Sequence, residues 1–60
     1  MKKIFVLHCG GYRSFRMLAN NPKNAVQRFA GLHKRDIMAT KGFSAKDITH
    51  ITETNETAFD

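Results

Sequence analysis

The chain's single proline, Pro22, follows two asparagines and stands where the spacing of apolar residues changes period. Upstream, "KIFVLHC" (3–9) is β-branched and aromatic. "YRSFRMLA" (12–19) alternates Phe15, Met17 and Ala19 with Ser14, Arg16 and Leu18, a period of two. Downstream, Ala25, Val26, Phe29, Ala30 and His33 recur at helical spacing, opposite Asn24, Gln27, Arg28, Gly31, Lys34 and Arg35. Asn21 is a good N-cap. Pro22 fits the first helical position, where its missing N–H costs nothing. A chain that reads as strand on one side of this point and helix on the other belongs to neither the all-α nor the all-β class.

The helix is expected to run to about His33. It either continues through Ile37 and Met38 to Gly42 or kinks near "HKRD". "DITHITET" (47–54) reads as a third strand. Ile48 and Ile51 are three apart, so it needs a bulge or a start after Ile48. "SAKD" from Ser44 offers a competing short helix through a capping box. Residues 55–60 read as an acidic tail. The expectation is an α+β domain over residues 1–54: a three-stranded antiparallel sheet, β-β-α-β, with one helix packed on one face and the other face uncovered.

Gly10 and Gly11 suit a two-residue primed turn between the first two strands. That turn pairs Cys9 with Tyr12, Leu7 with Ser14, Val6 with Phe15 and Ile4 with Met17. It places Ile4, Val6, Phe15 and Met17 beneath the helix. Phe5, Leu7, Tyr12 and Leu18 then form an open patch edged by Arg13 and Arg16. A three-residue loop would instead set Phe5 and Leu7 with Phe15 and Met17.

Sixty residues with a single cysteine cannot close an internal disulfide, and the usage fits a cytosolic chain. "MKKIFVLHC" resembles the start of a signal peptide, but its apolar run is too short. No stretch approaches the ~20 apolar residues of a membrane span. All ten Lys and Arg lie between Lys2 and Lys46, opposed there only by Asp36, whereas residues 47–60 hold four acids and no base. The body is therefore more basic than the net charge of +5. It suits an acidic partner, unless the lysines serve solubility alone.

Chemistry-bearing groups are sparse. Adjacent His8 and Cys9 point to opposite faces of a strand, and no cysteine signature surrounds Cys9. The three histidines with Cys9 match no zinc-binding spacing. The double glycine leads into a strand and lacks the lysine of a phosphate loop. Asp36 is alone among carboxylates before Asp47. An enzyme, a cofactor and a small-molecule substrate are not expected. Arginine beside an aromatic on a sheet can serve nucleic-acid stacking. The basic residues Arg13, Arg16, Arg28, Lys34 and Arg35, with Phe5, Leu7 and Tyr12, are the expected partner-binding residues.

In order and texture, "RSFRMLANNPKNAVQRFAG…DITHITE" resembles small phage-encoded inhibitors of bacterial machinery, among them an inhibitor of host RNA polymerase and some anti-CRISPR proteins. It also resembles a sheet-and-helix module of archaeal ribosomal proteins. The likeness spans residues 3–54 as topology and carries over no functional residue. It implies a small, non-enzymatic, cytoplasmic binding protein that occupies a surface of nucleic-acid machinery and inhibits or modulates it. Direct RNA or DNA binding by the same basic surface is the alternative.

Overall fold

The computed structural model describes residues 2–57, with 56 and 57 by backbone alone. Strands β1 (Lys3–Cys9), β2 (Ser14–Ala19) and β3 (Ile48–Thr57) form an antiparallel sheet in the order β2-β1-β3. Helix α1 (Pro22–Arg35) packs across one face. The architecture is the expected β-β-α-β.

The register differs from the favoured expectation. Leu7 faces Phe15 and Phe5 faces Met17, so Gly10, Gly11 and Tyr12 form a three-residue loop closed by a bond from the Cys9 N–H to the Arg13 carbonyl, 2.8 Å. Gly11 takes the positive φ of 74° there. The consequence is an exchange of faces. Phe5, Leu7 and Cys9 are buried with Ala19, Ala25 and Phe29, and Phe15, Met17, Phe43, Ile48 and Ile51 pack around them. Phe5 and Leu7 are therefore core residues and cannot belong to a docking patch. Ile4 and Val6 take the uncovered face. The competing register would carry His8 beneath the helix beside Ile4 and Val6, and a buried imidazole needs partners that an apolar core cannot supply. On β3, Leu7 meets Ile51 and Cys9 meets Ile48, which reinforces the observed choice.

Both ends of α1 follow from short-range chemistry. The Asn21 side chain accepts from the Asn24 N–H at 2.8 Å, and the Asn24 side chain accepts in turn from the Asn20 N–H at 3.2 Å. Asp36 closes the helix: its N–H donates to the Leu32 carbonyl, 2.8 Å. Its carboxylate then accepts from the Met38 N–H at 3.1 Å and starts a 3-10 turn, Ile37–Thr40. Lys41 and Gly42 end that turn in left-handed conformations, φ 52° and 83°. Thr40 is fully buried. Its hydroxyl donates to the Ile37 carbonyl (3.1 Å) and lies 2.8 Å from His33 Nδ1. A hydroxyl has one proton, so His33 Nδ1–H is the donor in the second bond.

The capping box at Ser44 forms and holds a single 3-10 turn, Ala45–Asp47, that leads into β3. The bulge also forms, with Thr49 as the extra residue between the Cys9–Ile48 and His8–His50 pairs. β3 continues through Thr57, which pairs with Lys3, so residues 55–57 are strand rather than tail. Residues 58–60 of the expected tail lie outside the described residues. No helix among the described residues is long and apolar enough to cross a membrane.

Candidate docking surface

Tyr12, Ile37 and Met38 are the large apolar side chains that stand in solvent among the described residues. Ile37 keeps 55% and Met38 79% of its full exposure. Folding ordinarily hides such side chains, and here the local chemistry prevents it. Asp36 pins the first residues of the 3-10 turn. Thr40, not an apolar residue, is the one that turns inward. Ile37 and Met38 are left outside, where with Arg13, Lys41 and Gly42 they line an open groove of about 450 Å³.

Arg13 reaches this groove because it lies opposite Cys9, on the helix side of the sheet. Its neighbour Tyr12 projects from the hairpin loop. The result is an apolar floor between two cations contributed by distant parts of the chain.

The expected binding residues are thus distributed over four places. Arg13 lines the groove, and Tyr12 stands in solvent on the hairpin loop next to it in sequence. Arg16 faces the opposite side, on the uncovered sheet, so Arg13 and Arg16 do not edge one patch. Arg28, Lys34 and Arg35 are exposed on α1. Arg28 and Arg35 share a helical stripe, being seven apart, whereas Lys34 lies on the outermost line of the helix. Phe5 and Leu7 are in the core. Ile37, Met38 and Lys41 were not expected at the site. Their signal was an Asp beside two apolar residues followed by Lys-Gly, the punctuation of a short capped turn.

Other reactive groups are spent on structure. Cys9 is a free thiol in the core, its pKa pushed up by burial and then by the nearby Asp47 charge. His8 and Cys9 occupy opposite faces. Among the described residues no group of three or more His, Cys, Asp or Glu is placed to hold a metal ion. No family model, curated protein or solved structure matches the chain.

Proposed function

We propose that this chain is a small, non-enzymatic, basic binding protein of phage or mobile-element type. It docks on a component of bacterial nucleic-acid machinery in the cytoplasm and inhibits or modulates it by occupancy. The observation that carries the reading is the exposure of Ile37 and Met38 between Arg13 and Lys41. An apolar floor with cations at its rim suits an acidic protein surface that presents one apolar side chain. Burial of that side chain supplies affinity, and the rim charges supply orientation and association rate. The topology-level resemblance to small phage inhibitors points the same way.

The test is capture from nuclease-treated bacterial lysate by the wild type and by Met38→Asp and Arg13→Glu variants of unchanged melting temperature. One stoichiometric acidic partner, retained by the wild type and lost tenfold or more by both variants, is expected. Capture that disappears with nuclease, or that both variants retain, overturns the reading.

A further inference from the structure

The face of the sheet turned away from α1 carries an arrangement that the groove does not explain. The register places three rows across it: Ser14–His8–His50, then Arg16–Val6–Thr52, then Leu18–Ile4. None of these eight residues is acidic. The His8 and His50 rings stack with centroids 4.1 Å apart and planes within 5° of parallel.

Both rings are held in place by the protein. His8 Nε2 lies 2.9 Å from the Thr52 hydroxyl. The Thr49 hydroxyl gives its proton to the His8 carbonyl (3.1 Å) and is 3.1 Å from His50 Nδ1, so His50 Nδ1–H donates to it. Thr49 is the bulge residue, and bulges re-aim the side chains beside them. The stack axis runs across the strands, so the rings stand side by side like books on a shelf. Ser14, next in the row beyond His8, is too short to cover a ring. His50 stands at the exposed edge of the sheet, on β3.

We propose that this face binds single-stranded nucleic acid, with the His8–His50 pair as a preformed stacking platform for a base. Every base has a π-face, so an imidazole stack accepts single strands with little regard to sequence. In a duplex the bases stack on one another and their faces are closed to the imidazoles, so paired strands are poor ligands. A second copy of the chain is a worse occupant: it would bury an apolar area of only Ile4, Val6 and Leu18. The face lies across the sheet from the groove and is independent of it.

Fluorescence anisotropy with labelled, mixed-sequence 12-nucleotide probes tests the proposal, using single-stranded RNA, single-stranded DNA and a DNA duplex. At low salt a single strand should bind at least about tenfold tighter than the duplex. Affinity should fall as salt rises, because binding releases counterions. His50→Ala, which leaves the His8–Thr52 bond in place, should weaken binding about tenfold with the fold intact by thermal melt, in line with the loss of one stacked base. His50→Phe, which keeps a ring, should stay within about threefold of wild type. Comparison of the RNA and DNA arms identifies which strand is preferred. The proposal is overturned by absence of single-strand binding at low salt, by equal binding of duplex, or by a Phe variant as weak as the Ala variant. Met38→Asp should leave these affinities unchanged, so a failed groove and a failed sheet face are told apart.

Discussion

Moving from Ile4 to Phe5 takes a side chain from the uncovered face of the sheet to the centre of the core. Composition does not distinguish the two faces of β1, because both alternating sets are apolar from Ile4 to Leu7. The choice rests on His8 and on what β3 brings opposite. Phe5 has about 1% of its surface exposed, beneath a cluster in which Phe15 lies 5.2 Å from Phe29 and 6.2 Å from Phe43 between ring centroids. Truncating a buried Phe to Ala costs about 3–5 kcal/mol, a large share of what so short a chain can have. Phe5→Ala is therefore expected to lower the melting temperature by ~12 °C or more, or to abolish the transition. Ile4→Ala should cost less than half as much. Equal losses in circular-dichroism melts would contradict the observed register.

At the scale of elements, much was legible from capping chemistry. Asn21-Pro22 fixes the start of α1, the Ser44 box forms, and the broken alternation of Ile48 and Ile51 announces a real bulge. What could not be read was the division between α1 and the 3-10 turn. Ile37 and Met38 continue an apolar helical pattern, and only the two roles of Asp36, as helix stop and turn cap, separate them. The end of β3 was missed because Thr, Asn and Glu pair in an edge strand through backbone bonds that carry no apolar signal. The Ser44 turn has a pH signature. The Asp47 carboxylate is held below the usual carboxylate range, first by the Ser44 N–H at 2.8 Å and also by the Ser44 hydroxyl, Lys46 and His33, against a smaller effect of burial. A carboxyl lowered by folding stabilises the fold above its unfolded pKa and loses that contribution as pH falls through the folded value. Asp47→Asn should thus destabilise the protein at neutral pH and flatten the fall in melting temperature on acidification below pH ~4. An unchanged acid limb would show that the cap contributes nothing.

For the molecule as a whole, side chains rather than the hairpin loop set the pairing. A side chain built at Gly10 would meet nothing within 4 Å. Inserting Gly-Ser-Gly between Gly10 and Gly11 doubles the loop and should cost only about 0.6 kcal/mol, a fall of roughly 2–5 °C. A loss beyond ~10 °C would mean that the loop dictates the register after all. The groove end was only half visible in the sequence. Arg13 could be named from the hairpin, but its meeting with Ile37, Met38 and Lys41 depends on α1 returning the chain to that end of the sheet. That end is fastened by the bond from His33 to Thr40. The Thr40 hydroxyl that the imidazole holds is fully buried and already donates to the Ile37 carbonyl. The 3-10 turn is thus tied to α1 by a side chain as well as by the backbone, so a partner meets Ile37 and Met38 on a contour that is set before it arrives.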